Sequence, residues 1–100
     1  MEPRLYPIPP ERAREVLSRI RDYGVLRVEV ENLASLFDDM LASDDARLKY
    51  ALERLDDGNI DRAVLVVKGE TAVLVIKIET VMEIRVALRD YERLLKDLGL

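Results

Sequence analysis

The chain of 100 residues contains no cysteine and no histidine. Without thiols there are no disulfides, thiolate metal sites or cysteine nucleophiles. Without imidazole, the usual serine or cysteine triads cannot be assembled. Tryptophan and glutamine are also missing, phenylalanine occurs once and tyrosine four times. No apolar run approaches the roughly 18 residues of a membrane span. The opening stretch "MEPRLYPIPPERAR" lacks the apolar core of a secretory signal, which predicts a cytoplasmic protein with no membrane partner. Phosphate loops and dinucleotide fingerprints are absent too. Neither an enzyme nor a cofactor is expected.

What is present fits one folded domain spanning residues 1–100. Apolar residues make up 49% of the chain and charged residues 36%, the balance of a soluble globular protein. Arginine outnumbers lysine twelve to four, and with so few thermolabile side chains this suggests a thermophilic source. The net charge of −4 is unevenly spread: residues 1–28 hold six arginines against four acids (+2), 29–59 nine acids against three bases (−6), and 60–100 seven of each. An acidic total argues against a general nucleic-acid coat but leaves a local basic patch open.

All four prolines lie in the first ten residues, so 1–9 reads as an extended arm. Pro10 suits a first helical turn, Ala13, Val16, Leu17 and Ile20 follow at helical spacing, and Gly24 stops the helix. "VLRVEV" (25–30) alternates as a short strand with Leu26, Val28 and Val30 on one side. Asn32 caps a second helix with a stripe of Leu33, Leu36, Phe37, Met40 and Leu41. A third restarts at Asp44 or Asp45, turns Leu48, Ala51, Leu52 and Leu55 inward, and ends at Gly58. The stretch "RAVLVVKGETAVLVIKIET" (62–80) is a hairpin with a Gly69-Glu70 type II′ turn. Thr80 and Glu83 then form a capping box. The expected fold class is α+β, a small antiparallel sheet with packed helices in the order α-β-α-α-β-β-α, closed by a long C-terminal amphipathic helix over 80–98.

Metal motifs do not survive scrutiny. The Asp pairs 38–39, 44–45 and 56–57 point about 100° apart on a helix and read as caps. "DGNID" (57–61) starts like a calcium loop, but Arg62 stands where that loop requires glycine and Lys68 where it requires glutamate.

The hairpin carries the functional lead. Its turn pairs Lys68 with Thr71, Val66 with Val73, Val64 with Val75 and Arg62 with Lys77, all on one face. The opposite face holds Ala63, Leu65, Val67, Ala72, Leu74, Ile76 and Ile78 without a charge, and is the core. On the first face Val64, Val66, Val73 and Val75 make an apolar floor between Arg62, Lys68 and Lys77. Arg27 joins them if strand 25–30 enters the sheet with its apolar side inward. A floor for bases inside a cationic rim for phosphates suits single-stranded nucleic acid, provided Tyr6, Tyr23, Tyr50 or Tyr91 supplies stacking from elsewhere. The alternative is that another helix or subunit buries the valines.

At the C-terminus Val81, Ile84, Leu88, Tyr91, Leu95 and Leu98 follow at alternating three- and four-residue steps, a zipper-like seam for a homodimer or homotetramer. Ala87 and Leu94 widen the stripe, which equally suits packing on the chain's own domain.

This layout resembles ThermoDBP and its shorter relatives, single-stranded DNA-binding proteins of hyperthermophilic archaea. The likeness covers most of the chain and lies in architecture: N-terminal helices, a small sheet with an apolar cleft edged by basic residues, and a leucine-zipper-like C-terminal helix used for assembly. The matching positions are the floor (Val64, Val66, Val73, Val75), the rim (Arg62, Lys68, Lys77) and the seam of 81–98. The resemblance implies a homo-oligomer that binds single-stranded DNA with little sequence preference. The residues themselves leave DNA and RNA open. They also leave open a non-enzymatic structural or accessory subunit whose valine face is a protein–protein interface.

Overall fold

Alternating apolar residues on either side of a two-residue turn dictate the centre of the fold. The computed structural model describes residues 2–32, 43–79 and 82–100. Along the chain these form β1 (Arg4–Ile8), α1 (Pro10–Ser18), a 3-10 turn (Ile20–Tyr23), β2 (Val25–Asn32), α2 (Asp44–Asp57), β3 (Ile60–Lys68), β4 (Thr71–Ile78), β5 (Met82–Leu88) and α3 (Tyr91–Asp97). The strands make one five-stranded antiparallel sheet in the order β1-β3-β4-β5-β2.

The β3–β4 hairpin has the register read from its turn, with Arg62 opposite Lys77, Val64 opposite Val75, Val66 opposite Val73 and Lys68 opposite Thr71. Gly69 takes φ +64 at the first central position and Glu70 does not share the positive φ, as a type II′ turn requires. A bulge between Ile60 and Arg62 keeps both Ile60 and Ala63 inward.

Two parts of the expected order are corrected. Residues 82–88 are a strand, not the start of a helix over 80–98, and the C-terminal helix α3 has only 7 residues. Met82, Ile84, Val86 and Leu88 are buried while Glu83, Arg85 and Ala87 between them are half-buried. That period of two belongs to a strand. The proline-rich arm is also part of the sheet: β1 pairs with β3 from Arg4 opposite Val67 to Ile8 opposite Ala63. Pro7 is tolerated there because β1 is an edge strand with no neighbour on its outer side among the described residues. The element order is therefore β-α-β-α-β-β-β-α, with the 3-10 turn after α1.

Strand 25–30 is confirmed within β2, which pairs with β5 at the other edge. A bulge between Val25 and Arg27 puts Val28 inside and leaves Leu26 48% exposed, so Leu26 is not on the inward side expected of it. The residues 33–41 read as a helix, Thr80 and Val81, and the side chains of Leu55, Asp56 and Asp57 lie outside the described ones. In α2, Ser43 is the N-cap and accepts the Ala46 N–H at 3.1 Å, Leu48 and Ala51 are buried, and Gly58 ends the helix.

The helices cover one face of the sheet. Ala13, Val16, Leu17, Leu48, Ala51 and Leu94 meet Leu65, Leu74, Ile76, Ile84 and Val86 in a single apolar cluster. Tyr23 locks α3 in place, its hydroxyl donating to Asp97 Oδ2 at 2.7 Å. Burial raises the Tyr23 phenol above its ordinary value of 10.0, and the hydrogen bond to Asp97 adds to this. Gly58 is required by close approach: a Cβ there would sit 2.8 Å from Ile78 Cγ2 and 3.0 Å from the Arg54 carbonyl.

Two outcomes follow from this packing. Gly58→Ala should cost about 1–3 kcal/mol, because Ile78 is locked in the core and cannot yield; thermal unfolding should show a fall of about 4–8 °C per kcal/mol. Because the folded phenol titrates above the unfolded one, the Tyr23 contribution is fully present below about pH 10 and is lost as pH rises through the raised value. Tyr23→Phe should therefore lower stability by about 1 kcal/mol at neutral pH. It should also flatten the alkaline fall in denaturant midpoint relative to wild type.

Candidate binding face

The second face of the sheet carries no helix among the described residues, and the strand registers fix what stands on it. One row reads Pro7, Val64, Val75, Arg85, Glu29 across β1, β3, β4, β5 and β2. The next reads Leu5, Val66, Val73, Ala87, Arg27. Beyond them, Arg62, Lys77, Glu83 and Glu31 form a third row, and Lys68 opposite Thr71 closes the other end.

All eight residues expected to form a binding surface therefore share one face: Arg27, Arg62, Val64, Val66, Lys68, Val73, Val75 and Lys77. The four valines are half-buried and Arg62, Lys68 and Lys77 are exposed. Leu5, 61% exposed, and Pro7 extend the floor. Their place was hidden in the sequence because it depends on the arm pairing with β3, some sixty residues away.

Charge divides the face by strand. Arg85 on β5 binds three glutamates: Nε donates to Glu83 at 2.8 Å, Nη1 to Glu29 at 3.3 Å and Nη2 to Glu31 at 2.9 Å. These contacts, led by the hydrogen bond to Glu83, raise the guanidinium above its ordinary value. Arg27 pairs with Glu29 at 2.7 Å. Between these groups, Val73 and Ala87 the face dips into a depression of about 180 Å³. The acids on β2 and β5 are thus compensated by arginine. By contrast, Arg62, Lys68 and Lys77 have no ion-pair partner within 4.0 Å among the described residues.

The tyrosines stand elsewhere. Tyr6 is paired with Leu65 on the inward side, Tyr23 and Tyr91 are buried, and Tyr50 packs on the core from α2. Among the described residues no aromatic ring lies on the open face. The expected zipper seam is dismantled with the long helix: Ile84 and Leu88 are fully buried on β5, Tyr91 is buried at the start of α3, and Leu95 and Leu98 pack against the chain's own core. Val81 lies outside the described residues. A second cavity, about 530 Å³, opens between the Gly69-Glu70 turn and Tyr91. Its lining charges, Arg89 and Arg93 against Glu70, Asp90 and Glu92, nearly cancel. No group of three metal-ligating side chains occurs among the described residues, nor any helix long and apolar enough to cross a membrane.

Compared with family models, curated proteins and solved structures, the chain matches none.

Arg85→Met tests the charged half of the face. It should leave Glu29, Glu31 and Glu83 repelling one another without their shared cation, a loss of about 1 kcal/mol given their partial exposure. Urea unfolding should show a larger loss at about 0.05 M salt than at about 1 M, where screening relieves the repulsion. An equal loss at both values would mean that Arg85 acts through its apolar stem alone.

Proposed function

We propose that this is a cytoplasmic, non-enzymatic binding module whose working surface is the open face of the sheet, covered in its assembly by another protein. The observation that supports this reading is an apolar floor of half-buried Val64, Val66, Val73 and Val75, extended by the exposed Leu5 and Pro7, on a face that no helix covers among the described residues. Covering these side chains removes further apolar area from water, which favours association by about 25 cal/mol per Å². A second copy of the chain is one candidate cover, and the mass in solution reads that case directly.

Single-stranded nucleic acid is the second reading. It is favoured by Arg27, Arg62, Lys68 and Lys77 standing around the valines on one face. It is weakened by the lack of a ring to stack bases among the described residues, since stacking contributes about 1–3 kcal/mol per base. Of the features behind the resemblance to ThermoDBP, floor and rim lie together and the zipper-like helix does not form.

A photo-crosslinking residue at position 66, with a control at the exposed Lys49 on α2, separates the two readings in the native cell. Protease-sensitive adducts specific to position 66 are expected. Nuclease-sensitive adducts would transfer the function to nucleic acid. In that case a titration with labelled oligo-dT should show a log–log salt slope that flattens by about 1.4 when Lys68 and Lys77 are both removed.

A further inference from the structure

We propose that the open face receives one amphipathic helix of a partner protein, aligned with β3 and β4 and acidic at both ends of its apolar stripe. This rests on the reading of the face as a protein interface and specifies what lands there. The first argument is size. The floor spans β1, β3 and β4 at about 4.8 Å per strand, a patch on the order of 200 Å² in projection. A standard interface between two folded proteins takes about 800 Å² from each. A helix, about 10 Å across with its side chains, matches the patch.

The second argument is the backbone. An extended segment laid across a sheet face would leave its own N–H and C=O groups unpaired against apolar side chains, whereas a helix brings them satisfied. Addition at a sheet edge is closed to it as well. Pro7 interrupts the β1 edge, and at the β2 edge the Val28 N–H donates to Asp44 Oδ1 at 3.0 Å. The sheet already takes helices in this way on its other face, where Leu48 and Ala51 of α2 are buried against it.

The third argument is charge. The cations with no ion-pair partner among the described residues stand at the two ends of the floor, Arg62 and Lys77 at one and Lys68 at the other. Arg62 and Lys68 are six residues apart on one strand, roughly 20 Å. A helix covers that distance in about 13 residues, so carboxylates in its first and last turns reach both ends while an i, i+3, i+4, i+7 stripe lies on the valines. A cationic partner would meet Arg62, Lys68 and Lys77 unscreened, and a second copy of this face centred on its own valines would do the same. The occupant is an acidic helix.

The test uses the full chain and a synthetic peptide of about 16 residues, stapled as a helix, with a leucine stripe and glutamates in the first and last turns. A twin peptide carries lysines in place of the glutamates. The glutamate peptide should bind wild type at least about tenfold more tightly than its twin at about 50 mM salt, and the order should invert for Lys68→Glu/Lys77→Glu. Both lysines are exposed, but Lys77 stands opposite Glu83, so the unfolding midpoint of this variant should fall slightly and binding is measured well below it. Val66→Thr, nearly isosteric, should weaken both peptides alike. Affinities for the two peptides within twofold of each other, or an order that does not invert, would overturn the acidic-helix inference. If protein adducts still form at position 66, the interface reading survives that failure. Displacement of the glutamate peptide by oligo-dT at equal charge would overturn both.

Discussion

The inward row Tyr6, Leu65, Leu74, Val86 and Val28 crosses all five strands in continuous register, and the last four of these side chains are 0% exposed. Everything else in the molecule depends on it. The row holds the edge strands to the central three and gives α1, α2 and α3 a single apolar surface to cover. Since successive residues in a strand point to opposite faces, the same register that aligns this row also aligns the valines behind it. The open face is the unavoidable reverse of the core, and its floor cannot shift without moving the core by one residue.

Where the sequence was legible, a local feature fixed the geometry. Gly69-Glu70 set the hairpin register, and with it the floor and three of the rim cations. The pair Asp44-Asp45 and Gly58 marked the ends of α2 to within a residue. The misread segments each satisfied two patterns. Ile84 and Leu88 are four apart, which is one helical turn and also two strand repeats, so they fit both a seam and a sheet. Met82 and Val86, off the seam but in phase with the strand, were the distinguishing residues. In the arm, prolines exclude a helix but not an edge strand. Arg85 could not be recognised as the hub of three glutamates, since two of them arrive on β2, more than fifty residues earlier in the chain, and no local pattern announces that pairing.

Two kinds of charge therefore share the face. Around Arg85 the opposite signs are spent on each other, which ties the edge strand β2 to β5 through side chains as well as backbone. Around the valines the cations face solvent with no partner among the described residues, and their field is available to whatever approaches. The first group belongs to the fold and the second to recognition, although a count of charges along the chain treats them alike.

The position of β1 has a kinetic meaning. The β3–β4–β5 meander joins strands that are close in sequence, while β1 must find β3 across some fifty residues and, among the described residues, is paired along one side only. Contacts of such long sequence separation form late in folding, and an outermost strand held by a single neighbour opens at a lower free energy than the core. When β1 lifts, Leu5 and Pro7 leave with it and the β3 edge is bared. The border of the apolar floor is thus its most changeable part, so that the area on offer follows the breathing of one proline-rich strand.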